Sequence, residues 1–310
     1  MTQLISQDGT PASSLCFGTM QFGGKADAAA SQAMYEASRA AGLTFFDTAH
    51  VYTDGASETL LGQFVRDETD SLVIATKAGY AGGASRANIL KTFDESRTRL
   101  GMDRVDALYM HRYDGDTPLE ETFETLGELK SKGLIRYIGV SNYAAWQVMK
   151  AQAVAARFDT RIDLLQPMYN LVKRQAEVEI FPMAKDQQIS VVPYSPLGGG
   201  LLTGKYANGG AGRLTEDSRY GARYGLPEMH EAARQFAAQA RGAGVDPATL
   251  AVAWAAGHPA VTAPIISARS VEQLQPSLAA ATHMLSEADY AALSELYPAP
   301  PPATDRLEEA

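Results

Sequence analysis

Three successive apolar runs each end on a side chain that could hold or pass a proton. LTFFD ends on Asp47, SLVIATK on Lys77 and VDALYMH on His111, and Tyr52 shortly follows the first. Buried segments do not normally end this way, because an unpaired charge in a dry interior costs several kcal/mol. If the three runs lie side by side, their polar ends converge on one rim. Asp47 can then pair with Lys77, and the Lys77 ammonium can sit beside the Tyr52 hydroxyl. A neighbouring cation lowers a phenol pKa from its reference of about 10 toward neutrality. The chemistry expected is that of a tyrosine that gives up a proton near physiological pH.

The elements that would bring these groups together are strands. Each run is short, rich in β-branched or aromatic residues and flanked by helix-like segments, the pattern of a buried parallel strand. Eight such runs occur: LCFG, LTFF, SLVIAT, VDALYM, LIRYIGV, IDLLQ, ISVVPY and APII. Between them lie stretches with helical apolar spacing, including ADAAASQAMYEASRAAG, ASRANILKTFDESRTRLG and TPLEETFETLGELKSKG, the first and third ending on a glycine suited to a helix C-terminus. Eight strands alternating with helices predict a (β/α)8 TIM barrel of the α/β class. The competing doubly wound sheet should show a G-x-G-x-x-G turn after a strand. The nearest runs, GGAS at 82–85 and GGG at 198–200, lack that spacing.

Three segments stand outside the alternation. The first 14 residues read as a β-hairpin turning at Asp8-Gly9. A long Gly-, Arg- and Tyr-containing loop runs from Pro196 to Pro227 after the seventh strand, long enough to be functional or mobile. The proline-rich, then charged tail over 298–310 is expected to be irregular. Nothing divides the chain, so residues 1–310 are read as one domain. Barrels of this kind place their active site at the carboxyl ends of the strands. Besides the four residues above, Ser141, Asn142, Gln166, Tyr194, Ser195 and Pro196 fall there.

Composition narrows the partners. The chain has 310 residues, is 45% hydrophobic and carries a formal charge of -9. That charge disfavours nucleic acid and anionic membrane surfaces. No run approaches the length of a membrane span, and the N-terminal stretch lacks the pattern of a signal peptide. Cys16 is the only cysteine, which fits a reducing compartment, and its apolar setting makes it core filler. The expected location is the cytoplasm. Histidines and carboxylates show no metal-ligand spacing, so no metal is expected.

Taken together, the motifs resemble the aldo-keto reductase family along nearly the whole chain. GTMQFGG, FFDTAHVY, ATK, LYMH, GVSNY, QPMYN, YSPLGGGLLTGKY and ARSVEQL carry the resemblance, and SNYAAWQV with PLGGGLLTGKY points to the aflatoxin-aldehyde and succinic-semialdehyde reductase branch. The resemblance implies reduction of aldehydes by NADPH, with ketones or sugar carbonyls as a wider set. It makes Tyr52 the general acid, Lys77 and Asp47 its supporting pair, and His111 the donor that orients the carbonyl. It assigns Gly18, Thr19, Met20 and Asp47 to the cofactor groove. Ser141, Asn142 and Gln166 would grip the nicotinamide carboxamide, and Tyr194 would stack on the ring. Ser195, Pro196, Leu197, Gly200 and Lys205 would face the pyrophosphate. Ser267, Arg269, Ser270 and Gln273 would surround the adenosine phosphate, and a guanidinium there favours NADP over NAD.

Two features depart from the family pattern. Ser267 stands where a glycine is common, and Pro276 and Ser277 stand where an Asn or Glu-Asn pair contacts adenine. The substrate pocket is expected from Met20, Phe22, Tyr80, Arg112, Tyr113, Tyr220, Arg223 and Tyr224. Arg112 or Arg223 would hold an anionic or polyhydroxylated group, the alternative being that both make surface ion pairs. His50 is read as a rim or structural histidine, and Trp146 and Trp254 as core. The expected partner is a small carbonyl compound, and the expected state a monomer or homodimer. The alternative function is a cofactor-holding regulatory subunit with little turnover, as in the potassium-channel β subunits of the family.

Overall fold

The computed structural model describes residues 2–304, 306 and 308, apart from the side chain of Asn208. All eight expected strands form: β1 (Cys16–Gly18), β2 (Phe45–Asp47), β3 (Val73–Ala78), β4 (Val105–Met110), β5 (Ile135–Ser141), β6 (Leu164–Gln166), β7 (Ser190–Val191) and β8 (Ile265–Ile266). Their order is β7-β6-β5-β4-β3-β2-β1-β8, with every pairing parallel. Parallel bridges from Val191 to Val261 and from Tyr194 to Ile265 bring β8 back against β7 and close the (β/α)8 barrel.

Helices α1 (Ala28–Ala40), α2 (Ala56–Val65), α3 (Arg86–Leu100), α4 (Leu119–Ser131), α5 (Ala145–Ala155) and α6 (Ile180–Asp186) follow the first six strands. Local chemistry sets their ends. The Asp27 carboxylate accepts from Ala30 N (2.8 Å) at the start of α1, and Ser85 caps α3. Gly42 and Gly133 follow α1 and α4 with φ of +81° and +69°, and Gly101, outside the sequence expectation, ends α3 in the same way.

The period of two along each strand sorts side chains into barrel interior and outer shell. Cys16, Phe45, Val73, Ala75, Ala107, Tyr109 and Leu164 pack together inside. Continued to the carboxyl end of each strand, the same parity carries Asp47, Lys77, His111, Ser141 and Gln166, so they form the top layer of the interior. The opposite parity, with Phe46, Ile74, Leu108, Met110 and Val140, faces the helices.

The N-terminal hairpin plugs the other end. Ile5 bridges Pro11, Ala12 N donates to Leu4 O (2.9 Å), and Leu4 joins the interior cluster. The stretch after β7 is not an open loop. It folds into turns of 3-10 helix and two short helices, α7 (Arg213–Glu216) and α8 (Ser218–Tyr224). Helices α9 (Pro227–Gly242), α10 (Pro247–Gly257), α11 (Val271–Ala279) and α12 (Glu287–Ser294) complete the shell. No helix or strand forms over 298–304. Residue 1 of the expected hairpin and residues 305, 307, 309 and 310 of the expected tail lie outside the described residues. Among the described residues no helix is long and apolar enough to cross a membrane.

Candidate active site

The centre of the rim is a buried ion pair. Lys77 Nζ donates to Asp47 Oδ1, to the Thr48 carbonyl (2.7 Å) and to the Tyr52 hydroxyl (3.2 Å). The second Asp47 oxygen accepts from Gln166 Nε2 (2.9 Å). The Lys77 and Asp47 side chains are 0% and 3% exposed, so neither charge is shared with water. Burial works against the Lys77 charge, but Asp47 and Tyr52 outweigh it and lift its pKa above the usual lysine value. Burial likewise lifts the Asp47 carboxyl, against the pull of Lys77 and Gln166.

Tyr52 corrects one expectation. Burial raises its phenol pKa, Lys77 lowers it and Asp47 raises it again; the net direction is upward rather than toward neutrality. The hydroxyl is therefore protonated at neutral pH and poised to donate. The His111 ring meets the Tyr52 ring edge-on with centroids 5.8 Å apart. Burial, with Lys77 and Arg112 nearby, lowers the His111 pKa to about 3, so the ring is neutral. Its Nδ1 is buried without a hydrogen-bond partner. The single ring proton is then best used on Nε2, the nitrogen left to face a ligand.

Next to this centre lies a polar shelf. Asn142 Nδ2 donates to the His111 carbonyl (3.0 Å) and to Ser141 Oγ (3.1 Å), Ser141 Oγ donates to the Gln166 carbonyl (3.0 Å), and Tyr194 OH donates to Asn142 Oδ1 (2.7 Å). Asn142 and Ser195 hold φ of +59° and +64°, and Thr53 and Asp54 beside Tyr52 hold +47° and +53°. Left-handed backbone is unfavourable for such residues and persists where the surroundings impose it. Gly18 and Thr19 are buried at the base of the groove, and Met20 is half-buried.

The remaining residues implied for a nucleotide line the far side. Gly198, Gly199 and Gly200 all have positive φ, a run only glycine adopts without strain, and the Lys205 ammonium lies over the Tyr206 ring (4.9 Å). Pro196 is buried, while Ser195 and Leu197 are half-buried. Ser270 caps α11, and Gln273 accepts from Arg269 N (3.4 Å). Arg269 and Lys25 both pair with Glu216 of α7, tying the post-β7 segment across to the first and last strands. Ser267 Oγ is buried without a partner near Arg269. The unpartnered Ser267 hydroxyl and the Arg269 guanidinium, which Glu216 holds, stand together at this end of the rim. Ser277 Oγ on α11 is likewise buried without a partner, and the Pro276 carbonyl accepts from Thr249 (2.6 Å).

The expected substrate residues divide. Tyr80 lies against His111 (centroids 4.9 Å apart), and the Arg112 guanidinium lies over its ring (5.1 Å). Arg213 and Arg223 both lie over Tyr220 (5.4 Å each), and Arg213, which the sequence reading missed, donates to its hydroxyl (3.2 Å). Phe22 and Tyr224 are instead fully buried: Phe22 packs on Phe17 and Phe64, and the Tyr224 hydroxyl accepts from Asn170 (3.0 Å). Tyr113 turns to Tyr143 and Trp146. Trp254 is core, but Trp146 is 62% exposed, contrary to expectation. His50 pairs with Glu95 (2.6 Å). Among the described residues no group of His, Cys, Asp and Glu is arranged to hold a metal ion.

The profile of the Aldo/keto reductase family matches residues 14–298. The chain belongs to that family. Aldo-keto reductases are oxidoreductases that use NAD(P)H on carbonyl substrates. The chain is 33% identical over 89% of its length to a probable voltage-gated potassium channel subunit beta of Oryza sativa subsp. japonica, covering 89% of that protein. It is 31% identical over 78% of its length to L-glyceraldehyde 3-phosphate reductase of Escherichia coli (strain K12), covering 76% of it. With aflatoxin B1 aldehyde reductase member 2 of Homo sapiens it shares 36% identity over 65% of its length and 58% of that protein.

Proposed function

We propose that this aldo-keto reductase reduces aldehydes with NADPH, Tyr52 acting as general acid. The contact of Lys77 Nζ with the Tyr52 hydroxyl at 3.2 Å, backed by buried Asp47, carries the reading. A bound dihydronicotinamide supplies the hydride. Tyr52 OH gives its proton to the carbonyl oxygen, and the Lys77 ammonium stabilises the phenolate left behind. Neutral His111 donates from Nε2 to the same oxygen and orients it. Fixed donors of this kind act most strongly where water is excluded.

Ser141, Asn142 and Gln166 offer the donors and acceptors that a carboxamide needs, and the Tyr194 ring gives it a face. Arg269 and Ser270 are the groups for a 2′-phosphate, which supports NADP over NAD. An aldehyde panel with NADPH and with NADH, followed by loss of dihydronicotinamide absorbance, tests the reading. Turnover of aldehydes with NADPH in clear preference to NADH supports it; no turnover with either nucleotide removes it.

The same reading extends to the substrate. Most arginines of this acidic protein lie within 4 Å of a carboxylate. Among the described residues Arg66, Arg112, Arg213, Arg223 and Arg241 have none, and of these Arg112, Arg213 and Arg223 each rest on a tyrosine ring. Such guanidinium groups suit a carbonyl compound with a carboxylate or phosphate. Arg112→Ala and Arg223→Ala should impair succinic semialdehyde far more than an uncharged aldehyde of similar length; equal losses count against an anion site.

The channel-subunit relative supports a second reading, a cofactor-holding binding subunit. Fast multiple turnover favours the enzyme, and cofactor release slower than any turnover favours the subunit. We take the enzyme to be a single-domain cytoplasmic protein, monomeric or homodimeric.

A further inference from the structure

Outside the barrel wall, behind the catalytic centre, lies a second buried charge that the chemistry above does not use. Glu58 of α2 has a side chain 0% exposed. One of its oxygens accepts from Thr76 Oγ1 (2.6 Å) and the other from Arg99 Nη1 (3.1 Å). The same Arg99 nitrogen donates to the His50 carbonyl (2.9 Å).

The positions of these contacts are informative. His50 lies two residues before Tyr52, and Thr76 immediately precedes Lys77. The Glu58–Arg99 pair thus joins the turn bearing Tyr52 to the strand bearing Lys77. His50 N also donates to the Lys77 carbonyl (3.1 Å), and the His50 ring bonds to Glu95 of α3 (2.6 Å). Gly55, which closes the turn with φ +92°, lies so close to Arg99 that a Cβ there would sit 2.6 Å from the guanidinium. The turn is built to admit this side chain.

A buried ion pair contributes little stability over an apolar pair of the same shape. Geometry is what it can supply. We propose that Arg99 and Glu58 form a clamp whose role is to position Tyr52 against Lys77, both being positioning residues that touch neither substrate nor cofactor. The proposal rests on the assignment of Tyr52 as the acid. Removing the clamp would let the turn drift from β3, and displacement of a reacting group by an ångström costs about a hundredfold in rate.

Arg99 also lines an open groove of about 570 Å³ on the outer face, together with Arg66, Thr98 and Arg104. The space vacated by Arg99→Ala is therefore reachable from solvent, which permits chemical rescue.

The experiment compares wild type, Arg99→Ala, Arg99→Lys and the control Arg97→Met, whose residue pairs with Asp94 on the same helix. For Arg99→Ala we expect kcat to fall about a hundredfold, with the NADPH fluorescence titration unchanged. Sub-denaturing guanidinium salt should return part of the rate, Arg99→Lys should keep part of it, and Arg97→Met all of it. The groups facing Tyr52 are Lys77, Asp47, His111, Tyr194 and Tyr220. With Lys77 displaced, the Tyr52 ionisation should move to higher pH, read from the kcat profile and from tyrosinate absorbance against Tyr52→Phe. Should Arg99→Ala fail to fold, Glu58→Met/Arg99→Met leaves no buried charge unpaired and should show the same kcat loss and pH shift. Unchanged kcat and ionisation in a folded variant overturn the clamp, as does a loss explained wholly by weaker NADPH binding. If wild type itself shows no turnover, the enzyme reading falls, and the absorbance titration still decides the clamp.

Discussion

Two sides of the barrel mouth are built differently. On the side of β2, β3 and β4, Asp47, Lys77 and His111 stand at or just beyond strand ends and are nearly sealed from water, with Asp47 and Lys77 tied to each other and Lys77 to a backbone carbonyl. On the side of β7 and β8, the segment from Pro196 to Pro227 is anchored by buried Leu201, Leu202 and Tyr224, while its middle is held by more exposed ion pairs, Glu216 to Lys25 and Arg269. Strand ends give fixed positions, which proton transfer needs. The part fastened by the more exposed pairs is the part suited to move for ligand entry and release. The difference teaches that chemistry and exchange are assigned to separate parts of one rim.

Substitutions should break that contrast unequally. Lys77→Met should damage both rate and stability, because it leaves Asp47 buried with Gln166 as its remaining side-chain partner. We expect kcat to fall by about 10²-fold or more and unfolding in urea to require about 3–5 kcal/mol less. Arg269→Ala should act on recognition alone. NADPH affinity should drop by about tenfold or more while NADH affinity holds, measured by fluorescence titration. Glu216→Ala should leave the melting temperature unchanged but speed NADPH release several-fold in stopped flow. A loss of stability like that of Lys77→Met would erase the distinction between the two sides.

A pH dependence should accompany these effects. His111 is held near a pKa of about 3 in the fold, below its ordinary 6.5. Between these values the unfolded chain binds more protons. The stability that neutral His111 allows is complete above about pH 6.5 and is lost as pH falls toward 3. His111→Gln should flatten that part of the stability curve, and in wild type the His111 NMR signals should not titrate above pH 5.

Much of this was legible in the chain. Apolar runs ending in Asp47, Lys77 and His111 exposed the centre because a dry strand end has few reasons to carry charge. The eight strands followed from the same runs. What stayed hidden depended on three-dimensional surroundings. The upward net direction at Tyr52 arises from burial, which neighbours in sequence do not report. Phe22 and Tyr224, expected in the substrate pocket, are both fully buried, which their place in the sequence does not report. Trp146 misled because α5 buries Ala145, Val148 and Ala151, and the tryptophan falls one step off that face. The pairs Glu58–Arg99 and Lys25–Glu216 join distant parts of the chain at no periodic spacing, so only folding reveals them.

The most direct test is the kinetics of Tyr52→Phe with NADPH and an aldehyde, beside a nucleotide titration of the same variant. We predict turnover lower by about 10³-fold or more with NADPH affinity within a factor of two of wild type. Turnover near the wild-type rate, with nucleotide bound equally well, would contradict the assignment of the proton to Tyr52.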